Sequence, residues 1–125
     1  MTIALRRTIP VLRIFSAEKA REFYCDWLGF AVDWEHRFDD RAPLFMRISR
    51  DGLALFLSEH HGDGTPGTKI YIDAGGVAEL HAELRDKDYG FMRPGLERTE
   101  WDTLEFYVID PFGNRIHFSE PVSKS

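Results

Sequence analysis

Gly29-Phe30 and Gly90-Phe91 lie 61 residues apart, and the same interval separates Gly52 from Gly113. Each pair plays one part twice. The first glycine closes a helix and opens a strand; the second turns the chain into a final strand. On this register Leu55 matches Ile116, Phe56 matches His117 and Leu57 matches Phe118. A duplication of this kind constrains the fold more than any single motif does. One unit cannot cover both faces of its own sheet, so the two must pack together.

The local patterns repeat in the same order. Val11 to Phe15 alternates as a strand, and Ser16 is placed to cap a helix. Ala17, Ala20, Phe23, Tyr24, Trp27 and Leu28 then fall on one helical face, and Gly29 ends it. Residues 30 to 38 are extended, Leu44, Met46 and Ile48 alternate, and Arg50-Asp51-Gly52 turns into the strand 53 to 57. After the segment 60–67 (HHGDGTPG), rich in glycine and turn formers, the pattern resumes. Ile70 to Ile72 reads as a strand and Val77, Leu80, His81 and Leu84 as a helix face. Gly90 is expected to end that helix and Phe91 to open a strand. Leu104 to Ile109 and the stretch after Asp110-Pro111-Phe112-Gly113-Asn114 complete the set. The expectation is one α+β domain over 1–125, built of two tandem βαβββ units at 8–59 and 68–121. The first strand and helix of the second unit match at a spacing about one helical turn shorter, which implies an insertion there.

The remaining composition excludes several classes. The single cysteine, Cys25, allows neither an internal disulfide nor a zinc site of several thiolates. No apolar run approaches the ~18 residues of a membrane span, and residues 1–10 show no secretion signal. No Lys/Arg stripe marks a nucleic-acid partner. A cytoplasmic protein is expected. The formal net charge of −5 serves solubility and would also favour a cationic ligand.

Four aromatic residues, Trp34, Phe38, Tyr71 and Trp101, belong to neither helical stripe. Trp101 sits in the polar stretch Arg98-Thr99-Glu100-Trp101-Asp102-Thr103, where a stacking role outweighs packing. Phe38 reads the same way; for Trp34, packing is the stronger reading. Asp33, Asp39, Asp40, Glu100 and Asp102 lie near these rings and would draw a positively charged planar ligand. His117, on the second face of the last strand, could be a metal ligand, a base or a polar group in a cleft. His60 and His61 read as a solvated loop, His81 as packing, and Cys25 as an unreactive thiol.

The segments FSAEKAREFYCDWLGF (15–30) and DPFGNRIHF (110–118) resemble the two signature segments of the vicinal oxygen chelate superfamily, the glyoxalase/bleomycin-resistance fold. The resemblance implies a curved, cleft-forming mixed sheet, often completed between two chains. Most enzymes of that superfamily hold a divalent metal through the starts of the two first strands and through the two last strands. Here those places carry Thr8, Ile9 and Pro10, then Phe56, then Thr68 and Lys69, and finally His117. One imidazole is not a metal site. No metal and no other cofactor is therefore expected, and catalysis is not the leading reading.

The bleomycin-resistance branch is the nearest match. TIPVLR (8–13) resembles its N-terminal arm, with Pro10 where the arm would cross to a partner, so a homodimer with arm exchange is implied. GFAVDWEHRF (29–38) supplies Asp33, Trp34 and Phe38; LALFLS (53–58) supplies Ser58; Tyr71, Trp101 and His117 complete the implied site. Trp101 and Phe38 would clamp flat rings, Trp34 and Tyr71 would line the wall, Asp33 would attract a cationic group, and Ser58 and His117 would hydrogen-bond. The implied function is sequestration of a planar cationic glycopeptide-type antibiotic. Phe38 stands one residue nearer to Gly29 than in that branch, Trp101 one residue further from the Asp-Pro turn, and the loop 93–100 is shorter. The alternative is a metal-dependent lyase, dioxygenase or thiol transferase using His117 with Glu105 or His36; a third possibility is a dimer with no ligand.

Overall fold

The computed structural model describes residues 2–90 and 93–122. Strand β1 (Val11–Arg13) leads to α1 (Ala17–Ala20), which runs directly into a π-helical stretch (Arg21–Trp27). Strands β2 (Ala31–His36), β3 (Phe45–Arg50) and β4 (Leu53–Ser58) follow. The second unit repeats the order with β5 (Lys69–Asp73), α2 (Val77–Asp86), β6 (Glu97–Arg98), β7 (Thr103–Ile109) and β8 (Arg115–Pro121). The expected tandem βαβββ units are both present. They form two four-stranded mixed sheets, ordered β1-β4-β3-β2 and β5-β8-β7-β6, rather than one continuous sheet.

Strand pairing gives the repeat its three-dimensional meaning. β4 pairs in parallel with β1 and antiparallel with β3, and β8 does the same with β5 and β7. Phe56 stands between Val11 and Arg47, and His117 between Tyr71 and Tyr107. Phe56 and His117 thus hold equivalent places, as the 61-residue register requires. The insertion of a helical turn is not there: Val11 and Tyr71, like the helix starts Ala17 and Val77, lie 60 residues apart. The short stripe of α2 can be slid along that of α1 without breaking its period, and only strand pairing fixes the offset. The expected end of α2 at Gly90 also shifts. The helix stops at Asp86, and Asp88 takes the left-handed conformation (φ 49°) that Asp tolerates better than most side chains. The strand expected to open at Phe91 lies outside the described residues.

The first helix earns its position from its apolar face. Ser16 Oγ accepts from the Lys19 amide at 3.1 Å and starts it; Gly29, at φ 80°, ends it. The wide π turn is closed by the Leu28 amide donating to the Phe23 carbonyl at 3.0 Å. Ala20, Phe23, Tyr24, Trp27 and Leu28 are all buried in one core with Leu12, Ile14, Met46, Ile48, Leu55 and Leu57 of the first sheet. Val77, Leu84, Phe106, Val108, Ile116 and Phe118 of the second unit join the same core.

Polar contacts then lock the two units. Tyr24 donates its hydroxyl to Asp110 Oδ2 at 2.6 Å, and Trp27 Nε1 donates to the Leu84 carbonyl at 3.0 Å. Arg50 makes a two-pronged pair with Glu83 at 2.9 and 3.0 Å and also donates to the Leu28 carbonyl at 2.7 Å. Asn114 Nδ2 donates to the Arg13 carbonyl at 2.9 Å. The Asp110–Asn114 turn is therefore a joint between the units as well as a chain reversal.

The linker is seated on β1. Gly64 sits at φ 97°, and a Cβ there would lie 3.2 Å from the Val11 carbonyl oxygen. Gly62 has a similar φ of 95° with open space around it. Gly64→Ala is expected to cost about 1–2 kcal/mol in urea unfolding, clearly more than Gly62→Ala, because only Gly64 adds a backbone clash to the conformational penalty. Equal losses would show that the linker does not bear on β1.

Candidate functional site

Each sheet buries one face against the helices and leaves the other open. On the first sheet, alternation puts Met46, Ile48, Leu55 and Leu57 inside and turns Phe45, Arg47 and Phe56 outward. The pairing of β2 with β3 slips between Val32 and Trp34. This bulge changes the alternation, so Asp33, the extra residue, which accepts from Ser49 Oγ, and Trp34, opposite Arg47, serve the same face. Trp34 lies 5.8 Å from both Phe45 and Phe56, and these two rings are 5.0 Å apart, measured between ring centroids. Phe38 extends the band through edge contacts with His36 and His60.

The second sheet carries a matching band. Tyr71, His117 and Tyr107 stand side by side on β5, β8 and β7, with His117 4.5 Å from the Tyr71 ring and 5.1 Å from Tyr107. Beyond them Glu105 accepts from Thr103 Oγ1 at 2.8 Å, Ser119 Oγ at 2.9 Å and Trp101 Nε1 at 3.4 Å. Burial alone would raise the Glu105 pKa, but these hydrogen bonds outweigh it and hold the carboxyl below its usual range. His117 moves down from its ordinary 6.5, first through burial and then through the charges of Lys69 and Arg115. It is neutral at pH 7, and its buried Nε2 has no hydrogen-bond partner among the described residues.

The sign of that shift gives a measurable consequence. With a folded pKa below the unfolded one, the His117 contribution is intact above pH 6.5 and is lost as pH falls through the depressed folded value. The melting temperature is expected to fall from pH 6.5 toward 5, and His117→Gln should flatten that slope. An unchanged slope in the variant would place the titration elsewhere.

The seven site residues expected from sequence divide between the two faces. Asp33, Trp34, Phe38 and Ser58 belong to the first sheet or its edge; Tyr71, Trp101 and His117 belong to the second. Among the described residues no ring of one band touches a ring of the other. Phe38 (79% exposed), Trp101 (65%), Tyr71 (56%) and Trp34 (42%) present enough free ring surface to meet a ligand. Asp33 is engaged: it accepts from Ser49 Oγ at 2.9 Å and faces Arg47 Nε at 3.5 Å. Ser58 is fully buried, donates to Asp63 at 2.9 Å and accepts from the His60 amide at 3.0 Å. Its hydroxyl seats the linker that carries His60. Sequence reading missed Phe45 and Tyr107 as members of the bands and gave Phe56 no role there. Alternation along β3, β4 and β7 was the available signal.

Other expectations resolve simply. His81 packs edge-on against Phe106 and bonds the Pro94 carbonyl at 2.7 Å. Burial, with Asp26 beside it, pushes the Cys25 thiol up, which favours the unreactive form. For a metal, the donor set does not fit. His36 is on the first sheet, Glu105 is engaged by three donors beside His117, and no group of three His, Cys, Asp or Glu able to hold an ion occurs among the described residues. Among those residues, too, no helix is long and apolar enough to cross a membrane.

Known proteins are similar to this chain in sequence and fold. A family model described as "Glyoxalase superfamily protein" matches residues 1–125. A bleomycin resistance protein of Geobacillus stearothermophilus is 30% identical, with 93% of this chain and 97% of that protein covered. The bleomycin-binding protein of bleomycin-producing Streptomyces verticillus, solved with copper(II)-bleomycin, superposes with a TM-score of 0.69 at 26% identity, covering 98% of this chain and 100% of the other. A bleomycin resistance determinant encoded on the transposon Tn5 superposes with a TM-score of 0.72 at 20% identity, covering 94% and 98%. With the duplicated unit, the paired open faces and these likenesses together, the chain belongs to the glyoxalase superfamily, in the branch of the bleomycin resistance proteins.

Proposed function

We propose that this protein is a non-catalytic binder that sequesters a planar antibiotic of the bleomycin type. It works as a homodimer in which the first sheet of one protomer faces the second sheet of its partner. The observation that carries the reading is the pair of ring-lined open faces, Trp34–Phe45–Phe56 and Tyr71–His117–Tyr107. Both faces are open, and the contacts that join the units run through the helices and the Asp110 turn instead. Flat heteroaromatic rings fit between two such walls. Trp101 and Phe38 close on the ligand from the rims, Trp34 and Tyr71 line the walls, and His117 sits in the floor of the second wall between Tyr71 and Tyr107. Asp33 contributes to the field at the first wall, and Ser58 acts by holding the linker.

The N-terminal segment supports the dimer. Ile3 and Leu5 are almost wholly exposed in a stretch without regular structure, although Pro10 is already docked through the Phe56 amide at 2.9 Å. Exchange of this arm would cover both side chains on the partner. The test is calorimetry with metal-free and copper-loaded bleomycin, joined to sedimentation equilibrium. One drug per protomer and a two-chain mass are expected. No heat with either form would remove drug binding, and a one-chain mass would remove the shared cleft.

A further inference from the structure

We infer that the second-sheet wall of this cleft selects flat aromatic ligands that bear an anionic group at one edge: a carboxylate, sulfonate or phosphate. The inference rests on the cleft reading above and reverses the charge preference suggested by the acidic sequence.

The open face of the second sheet is a three-row grid. Lys69, Arg115 and Ile109 form one row; Tyr71, His117 and Tyr107 form the next; Asp73, Ser119 and Glu105 form the third. Rows stand two residues apart along each strand, about 7 Å. Lys69 and Arg115 are directly opposed, an arrangement that costs stability when the charges are alike. Neither has a carboxylate within ion-pair distance among the described residues, whereas Arg21, Arg37, Arg47 and Arg50 each have one. They rest on the flanking rings instead: Lys69 Nζ lies 5.2 Å from the Tyr71 centroid, and Arg115 Cζ lies 4.4 Å from that of Tyr107.

Of the acids that pointed to a cationic ligand, Asp33 is held by Ser49 and Arg47 and Asp102 faces Arg98 at 3.5 Å. On the sheet face itself Glu105 is buried and accepts from three donors. The ring row is therefore bordered on one side by two cations without an ion-pair partner among the described residues, and on the other by Asp73 and the buried, hydrogen-bonded Glu105. A ring stacked along Tyr71, His117 and Tyr107 would direct its anionic edge to Lys69 and Arg115. The row of Asp73 and Glu105 would repel that edge and so fix the orientation.

The experiment titrates the full chain with 2-naphthoate, 2-naphthalenemethanol and 2-naphthylmethylamine by calorimetry, at low and moderate salt. Naphthoate is expected to bind about tenfold tighter than the alcohol, the amine more weakly than either, and the advantage of the acid should shrink with salt. Lys69→Gln and Arg115→Gln should each reduce that advantage and leave the alcohol unaffected, with melting temperatures no lower than the parent's. An amine that binds as well as the acid, or a preference that survives both substitutions, overturns the inference. If bleomycin binds and naphthoate does not, the inference falls while the cleft stands. If the naphthoate preference holds and bleomycin gives no heat, the inference stands and the drug reading falls.

Discussion

Asp110→Ala is expected to lower the stability of the folded chain by about 3–5 kcal/mol, the largest effect of any single substitution considered. Asp110 is buried and accepts from Tyr24 Oη at 2.6 Å, the Phe112 amide at 2.9 Å, the Asn114 amide at 2.8 Å and Asn114 Nδ2 at 2.9 Å. Alanine removes all four acceptor contacts at once. The Tyr24 hydroxyl is left in an apolar core, where burial and the nearby carboxylate already hold its pKa well above the ordinary 10.0. An orphaned buried donor costs roughly 1–3 kcal/mol, and the four losses are coupled, so their sum is not the answer. The turn also positions Asn114 against Arg13 of the other unit, so the loss reaches both halves. Tyr24→Phe is the graded companion. It removes one donor and keeps the ring, and about 1–2 kcal/mol is expected. Urea unfolding of both variants gives the comparison. A loss under about 1 kcal/mol for Asp110→Ala would mean that the turn is only a turn.

The second large effect is on binding. Trp101→Ala is expected to weaken bleomycin about 30-fold, roughly 2 kcal/mol, with little change in stability. Trp101 is two-thirds exposed, and its Nε1 contact to Glu105 is long at 3.4 Å. Its ring surface is thus free for a ligand and contributes little to the core. Trp101→Phe should restore part of the affinity, because a flat face returns without the indole N–H. Trp34→Ala is a different case. Trp34 packs on Phe45 and Phe56, so its removal should reduce both stability and affinity. Unchanged drug affinity in Trp101→Ala, with the fold intact, would detach this residue from the cleft.

Much of the architecture could be read from particular residues. Ser16 and Gly29 bracket the first helix because a cap and a left-handed terminus are local requirements, satisfied by one residue each. The 61-residue register placed Phe56 and His117 at equivalent points, and the strand pairing agrees. The end of α2 was not legible, because Asp88 supplies a left-handed turn that glycine usually supplies. Ser58 was legible as a position but not in its engagement. Its partner Asp63 lies in a linker whose path depends on the seating of Gly64 over β1.

The site shows the same division. Trp101 stands out in sequence because a large ring sits among polar neighbours. The charge of the surroundings does not, because a carboxylate counts only when its partner is known. Asp33 looks like a free acid along the chain and is paired with Arg47 on the neighbouring strand.

What the sequence determined alone was the duplicated βαβββ plan, the caps and the helix stripes, since these depend on period and on neighbours within a few residues. Only the tertiary structure decided which rings share a face, which acids are neutralised, and that Lys69 stands opposite Arg115. Those relations join residues on different strands, and the side-chain alternation of a strand places them on one surface only after its register is set.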